Sequence, residues 1–552
     1  ACLRDGGIVA VKGIGGFHLV CDAASHAAVL RLRHRKARPD KPLAVMFPQK
    51  GTDGLAMVHE HVSLDPVEAA ACLDPVRPIV LARRRVDSPL STALAPGLSE
   101  LGVFLPYSPL HHVLLGDFDG PLVATSGNIS GEPVITENDN ARRRLGGIAD
   151  AVLHHDRPIL RPADDTVIRV ISSSPRILRA GRGKTPLEFD LSVRLADPVI
   201  AVGGHMKSAV ALAWDNRVVV SPHIGELDSP HARAVFAQTI NDLQALHQVR
   251  ASRVICDPHP GYASTRWAHV SGLPVTDVGH HVAHASALAG EYPEVARWLT
   301  FTWDGAGLGA DGSIWGGEAF AGTAGGWRRV ASLRPFHLLG GDRAAREPWR
   351  SAAALMWQEG RDWTPTADGA DLARQAWDKR IGTFPTSSAG RLFDAAAALV
   401  AGIHTVSHEG RGPMALESMA ASDCEAIHLP QQAAGGGVLQ MDWAPLLPML
   451  VDSDLAAPVR AGMFHEALAA GLVAQALALH ATIRFEAVGL SGGVFQNRLL
   501  CERIAALFAK RGIPLFQHAV VPANDGGLAF GQIVEYAHSH LSRSAPPRKD
   551  GL

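Results

Sequence analysis

Leu299-Thr300-Phe301-Thr302-Trp303-Asp304-Gly305-Ala306-Gly307-Leu308-Gly309 reads as a strand that ends on a carboxylate and enters a glycine-rich turn. Aromatic and β-branched residues fill its first half, as a pleated, buried segment requires. A return strand, Ser313 to Phe320, follows. The same order occurs earlier in the chain: Val199 to Gly204, Ser208 to Trp214 and Arg217 to Pro222 form a meander, its last two strands joined by a tight turn at Asp215-Asn216. Two copies of one arrangement predict a duplicated, two-lobed α/β architecture. Between the second copy and the C-terminus lie Ala-rich helical runs, Arg391 to Ile403 and Val459 to Thr482. Then come a strand at Ala487 to Leu490, a helix from Asn497 to Arg511, and a last helix after Asn524-Asp525-Gly526-Gly527.

Upstream, short β-rich runs (Ile8-Val11, Leu43-Phe47, Ile79-Leu81, Leu122-Thr125, Thr166-Val170) alternate with helical ones such as Ser25 to Arg35, which predicts a separate α/β domain. Gly181 to Pro198, rich in charge and without period, reads as a linker. The expected organisation is an α/β domain at 1–187, a linker at 188–197, a two-lobed domain at 198–540 and a polar tail at 541–552.

A chain of 552 residues has room for roughly three or four structural units. With 19% charged residues and a net charge of -2, it carries no basic block of the kind that binds nucleic acid. Its six cysteines are scattered with no C-x-x-C pair, which argues against disulfides and zinc ribbons. No uninterrupted apolar stretch of about 20 residues occurs, so a membrane span is not expected and the cytoplasm is the expected compartment.

His280-His281-Val282-Ala283-His284 precedes a run of small helix formers. On a helix, His280 and His284 share a face and aim two imidazoles at one point, a donor pair suited to a transition metal. Among 27 histidines such a pair also arises by chance, so the surroundings decide. Three glycine-rich turns at strand ends supply them: Asp304 to Gly309, Ser491-Gly492-Gly493 and Asn524 to Gly527. Such turns let backbone N–H groups approach phosphate. Asp304 and Asp525 are then the natural oxygen ligands to complete a site with His280 and His284. His281 points about 100° away and is expected to be structural or to support the ligands.

In the first domain, Lys12-Gly13-Ile14-Gly15-Gly16, Lys36-Ala37-Arg38-Pro39-Asp40-Lys41-Pro42 and Thr125-Ser126-Gly127-Asn128 read together as an anion pocket. Lys36, Arg38 and Lys41 supply charge for a triphosphate, and Ser126 and Asn128 neutral hydrogen bonds. A solvated face accounts for the charges but not for the Pro-bracketed strand behind them.

These motifs carry resemblances. Residues 198–540, through His280-x-x-x-His284, Asp304-Gly-x-Gly, Trp315-Gly-Gly-Glu318, Gly390-Arg391-Leu392-Phe393-Asp394, Ser491-Gly-Gly-Val-Phe-Gln-Asn497 and Asn524-Asp525-Gly-Gly, resemble the TsaD-type carbamoyl-transfer domain of the actin/hexokinase-like (ASKHA) superfamily. The resemblance implies that His280, His284 and Asp525 hold a divalent metal (magnesium, iron or zinc) with Asp304 beside it. It also implies nucleotide contacts from Gly305, Gly307, Gly390, Gly492, Gly493, Asn524 and Gly526, and a ribose contact from Asp394. The first domain is similar to the YrdC family, which forms acyl-adenylates from ATP, with Lys12, Lys36, Arg38 and Lys41 as the implied catalytic groups. The two in this order resemble the HypF carbamoyltransferases of nickel-iron hydrogenase maturation.

That family resemblance implies ATP-dependent formation of carbamoyl-adenylate from carbamate, derived from carbamoyl phosphate. The carbamoyl group then passes to the C-terminal cysteine of a HypE-like partner, and neither nucleic acid nor membrane takes part. Two departures stand out. Family members usually begin with an acylphosphatase domain and paired C-x-x-C zinc fingers, which these residues do not contain, and Val282 occupies a position commonly histidine. Small-molecule O-carbamoyltransferases carry the same domains in reversed order. Transfer RNA modification normally uses separate proteins and would want a basic stripe, and a non-catalytic nucleotide-dependent scaffold is the remaining alternative.

Overall fold

The computed structural model describes residues 1–129 and 131–544. The last helix, Leu528–Ser544, runs four residues into the tail expected at 541–552, and the remainder of that tail lies outside the described residues. Two compact units emerge. The first comprises Ala1–Thr185 with two later segments, Pro222–Phe236 and Val406–Met419; the second comprises Pro186–Ser221, Ala237–Thr405 and the chain from Ala420 onward. The expected 198–540 domain therefore gives up two segments to the first unit.

The first unit is built on a ten-stranded mixed sheet. Its central strands, among them Phe17–Asp22, Val45–Met46 and Leu122–Ser126, are buried throughout most of their length. The antiparallel pairing of Phe17–Asp22 with Leu122–Ser126 sets His18 opposite Ser126. Helix His26–Arg35 begins where the Ser25 side chain accepts from the Ala28 N–H, and it ends in Arg33, His34 and Arg35, cations suited to the negative end of the helix dipole. Ala37 stops it in the left-handed region (φ 48°) and so releases the cationic loop that begins at Lys36.

The second unit contains the expected duplication. In one sheet the meander Val199–Ala201, Ala211–Trp214, Arg217–Val220 is followed by Arg253–Cys256 and Val275–Asp277, added in parallel beside the first strand. In the other, Trp298–Leu308, Ile314–Gly322, Arg328–Leu333 is followed by Ala487–Ser491 and Leu515–Gln517 in the same way. Both sheets thus have strand order 3-2-1-4-5 over these five strands.

Two local expectations change. The linker expected at 188–197 begins as strand: Leu187–Asp190 pairs antiparallel with Arg217–Val220, and Phe189 packs on Phe530 at 4.3 Å. Four residues beside proline are too short for a visible period. The glycine-rich stretch after Asp304 is not a turn either. The strand runs through it to Leu308 with a register shift between Trp303 and Gly307, and the chain reverses only beyond, where Gly309 N–H donates to the Ser313 carbonyl at 2.8 Å. Pairing to the neighbouring strand overrides the glycine signal.

Helix Ala457–His480 is long and apolar enough to cross a bilayer, but 67% of its most apolar window is buried within the protein. Helices His280–Glu291 and Leu528–Ser544 meet backbone to backbone. A Cβ on Gly531 would stand 1.9 Å from the Ala283 carbonyl oxygen. Gly531→Ala should therefore push the two helices apart and destabilise the second unit by about 1–3 kcal/mol, read as a lowered denaturation midpoint.

Candidate active site

Helix His280–Glu291 follows the end of strand Val275–Asp277, and all three of its histidines are buried. Helical spacing places the His280 and His284 rings 5.1 Å apart. Two carboxylates arrive from other elements: Asp304 from strand Trp298–Leu308, and Asp525 from the turn that opens the last helix. His280 Nε2 lies 3.3 Å from Asp304 Oδ2 and 3.8 Å from Asp525 Oδ1. His284 Nε2 is 3.7 Å from each of the same two oxygens. One ligand atom from each of the four residues lies within 4.8 Å of all the others.

Surrounding groups orient this cluster. Asp257 Oδ2 takes His280 Nδ1 at 2.8 Å, which leaves Nε2 facing inward. Asp304 Oδ1 accepts the Gly493 N–H at 2.9 Å, so Oδ2 is the oxygen turned to the histidines. Ser491 Oγ donates to the His284 carbonyl at 2.8 Å and ties the helix to strand Ala487–Ser491. Burial works against charge on His280, yet Asp257 and Asp304 hold its pKa well above the ordinary range. Burial likewise opposes charge on His284, which Asp304 and Asp525 raise. Burial also opposes ionisation of Asp304, but the two imidazoles hold its carboxyl well below the usual range. His281 goes the other way, pushed well down by burial and by its two neighbours. Neither of its ring nitrogens has a hydrogen-bond partner among the described residues, and Nε2 stands 4.0 Å from Glu318.

The donor set fits a divalent metal. His284 Nε2 is buried with no hydrogen-bond partner among the described residues, and two imidazoles with two carboxylate oxygens suit zinc, iron or another first-row ion. Binding such an ion needs neutral imidazoles and therefore competes with protonation of the two histidines.

Of the expected glycines, Gly390, Gly492 and Gly493 approach Trp303 and Asp304 closely. Gly492 has φ 103°, and a Cβ there would lie 2.2 Å from the Trp303 carbonyl oxygen. Asn524 accepts the Gly526 N–H at 3.0 Å and donates to Gln496 at 2.8 Å. A Cβ on Gly390 would come within 2.8 Å of Gly305 Cα, and one on Gly307 within 2.6 Å of His280. Gly307 and Gly390 thus have a packing reason for being glycine, independent of any nucleotide. Asp394 is paired with Arg391 at 2.9 Å on helix Ala389–Ala401.

In the first unit, Lys36 is buried, and its ammonium donates to the Ser126 carbonyl, to the Asn128 carbonyl at 3.1 Å and to Asn128 Oδ1 at 2.7 Å. Ser126 Oγ donates to the same Oδ1 at 2.9 Å. Burial, with Arg38 and Lys41 nearby, pushes the Lys36 pKa down to about 7, and burial with Arg33 and Arg179 takes Arg38 down to about 10. Buried cations whose charge is disfavoured in this way are suited to an anion, which would favour the charged form. Arg38 donates to the Pro42 carbonyl at 2.6 Å, and Lys41 is exposed. Lys12 is buried and directed to the His155 carbonyl at 3.1 Å.

Comparison with known proteins decides the family. Residues 1–181 match the Sua5/YciO/YrdC family, described as "Telomere recombination". Residues 194–291 match the HypF Kae1-like domain, and 300–532 match "Carbamoyltransferase, Kae1-like Domain, second subdomain". Carbamoyltransferase HypF of Rhodobacter capsulatus is 42% identical over 96% of this chain and 71% of its own length. The chain belongs to the HypF carbamoyltransferase family. The HypF of Synechocystis is 37% identical with the same coverage. A full-length HypF crystallised in its phosphate- and nucleotide-bound form superposes with TM-score 0.91 at 32% identity, over 97% of this chain and 85% of that one. The chain is accordingly an enzyme of the carbamoyltransferase class, built from a YrdC-like unit and a Kae1-like, two-lobed unit.

In this HypF-family chain the fold brings together the four residues expected as metal ligands, His280, His284, Asp304 and Asp525. Asp257 was not singled out, although it follows the apolar strand Arg253–Cys256 as Asp304 follows its own apolar run. A carboxylate at a strand end beside the histidine helix was the available signal.

Proposed function

We propose that the first unit condenses ATP with carbamate and that the second transfers the carbamoyl group to a thiolate supplied by a HypE-like partner. The carbamate oxygen attacks the α-phosphorus, the bond to the β-phosphate oxygen breaks, and pyrophosphate leaves. Lys36, Arg38 and Lys41 offset the charge that gathers on the phosphates, and Ser126 and Asn128 hold Lys36 in place. The partner thiolate then attacks the carbamoyl carbon, AMP departs, and a thiocarbamate remains for dehydration to cyanide elsewhere.

His280, His284, Asp304 and Asp525 are the residues that would hold a divalent ion, which supplies positive charge for phosphate oxygens and for a polarised carbonyl. Gly493 and Asp257 keep the ligands in orientation through Asp304 and His280. This chain's own thiols are poor candidates for the nucleophile. Burial pushes Cys21 and Cys72 up to about 12 and raises Cys256 further. Use of a nucleotide, which we take to be ATP, is supported by the phosphate- and nucleotide-bound form of the HypF relative.

The observation that carries the reading is the presence in one chain of a cationic loop around the buried Lys36 and a largely buried His-His-Asp-Asp cluster. Incubation with ATP, carbamoyl phosphate, an added acylphosphatase and a HypE-like protein should add one carboxamide to that protein's terminal cysteine, read by mass spectrometry. No addition, with an intact partner and active acylphosphatase, would overturn it.

A further inference from the structure

The loop 36–42 carries three cations and one carboxylate, so it has little reason to hold a shape by itself. It is gripped from two sides. On one, buried Arg33 donates from Nη1 to the carbonyls of Arg38, Pro39 and Lys41 at 2.9, 3.1 and 3.1 Å, and from Nε and Nη2 to those of Ala93 and Leu94 at 2.5 and 3.0 Å. On the other, Asp40 accepts from Ser407 Oγ and from Arg411 Nε at 3.3 Å, with His408 Nδ1 at 3.4 Å.

Ser407, His408 and Arg411 belong to Val406–Met419, a segment of the first unit that lies more than 360 positions downstream of the loop. A second anchor fixes the same segment: Glu417 pairs with Arg169 at 2.9 Å, and Arg169 with Glu100 at 2.8 Å, all largely buried. Two nitrogens of the segment, Arg411 Nη1 and His408 Nε2, are buried with no hydrogen-bond partner among the described residues. Unpaired buried polar atoms are costly and rare, and these two lie beside the cationic loop.

We infer that Ser407, His408 and Arg411 are positioning residues for the phosphate-binding loop. Through Asp40 they set the backbone from which Arg38 and Lys41 extend. This rests on the reading that the loop holds the phosphates of ATP. A guanidinium–carboxylate contact that fixes a loop acts on every ligand bound by that loop and on none bound elsewhere.

The test uses the whole chain with Arg411→Ala, Arg411→Lys and Asp40→Asn. Carbamate-dependent exchange of pyrophosphate into ATP gives KM and kcat, and AMP and pyrophosphate are titrated separately. Arg411→Ala should raise KM for ATP and weaken pyrophosphate binding by about 10- to 100-fold, the size of a lost charged hydrogen bond, and leave AMP affinity unchanged. Arg411→Lys should recover part of the loss. Equal weakening of AMP and pyrophosphate, or a wild-type KM for ATP, would overturn the inference. If Arg411→Ala does not fold, the isosteric Asp40→Asn carries the same expectation. Lys36→Ala run in parallel separates the two ideas: unchanged exchange in it removes the nucleotide reading itself, whereas a defect there beside a normal Arg411→Ala removes only the positioning role.

Discussion

Replacing His284 with alanine should abolish carbamoyl transfer to the partner cysteine while pyrophosphate exchange by the first unit continues at its normal rate. His284 is the cleaner of the two histidines to remove. Its Nε2 stands 3.7 Å from Asp304 and Asp525, and both carboxylates keep His280 Nε2 beside them, at 3.3 and 3.8 Å, when His284 is removed. Removing His280 would instead leave the buried Asp257 carboxylate without its imidazole, a defect of fold as well as of ligation. Loss of one ligand from a four-residue set should lower the bound metal measured on the purified protein, with the melting profile otherwise kept. Metal content equal to wild type in His284→Ala would place the ion elsewhere.

Lys36→Ala should produce the mirror image. Exchange should fall by about 100- to 1,000-fold, the usual effect of deleting a buried group aimed at developing charge. Because the pKa of Lys36 is pushed down to about 7, this lysine is about half charged near neutrality. A bound polyphosphate favours the ammonium, so ATP binding takes up a proton there. Apparent ATP affinity should fall as pH rises through 7, and the uptake should fade below about pH 6, where the free lysine is already charged. Calorimetry in buffers of different ionisation enthalpy measures the uptake, which should be absent from Lys36→Ala. A wild-type proton uptake in the variant would assign the titration to another group.

Features whose cause is local were visible without the fold. A four-residue separation on a helix puts His280 and His284 on one face whatever surrounds them. The doubled meander announced two lobes because strand period and turn residues act over a few positions. Where the expectation moved, a distant partner was responsible. Gly305 to Gly309 carries the chemistry of a turn, but pairing with Ile314–Gly322 extends the strand through it and leaves Gly307 as the place where two histidine rings fit. Leu187–Asp190 is a strand because Arg217–Val220 offers it an edge.

The chain's own order of residues thus determined the two-domain plan, the paired imidazoles and the cationic loop, since each depends on neighbours within a turn or a strand. Only the tertiary structure decided that Asp257 orients His280 and that Val406–Met419 belongs to the first unit, where Arg411 meets Asp40. Those are contacts between side chains tens to hundreds of residues apart. Their geometry is set by how sheets and helices pack, a property that local periodicity and spacing do not encode.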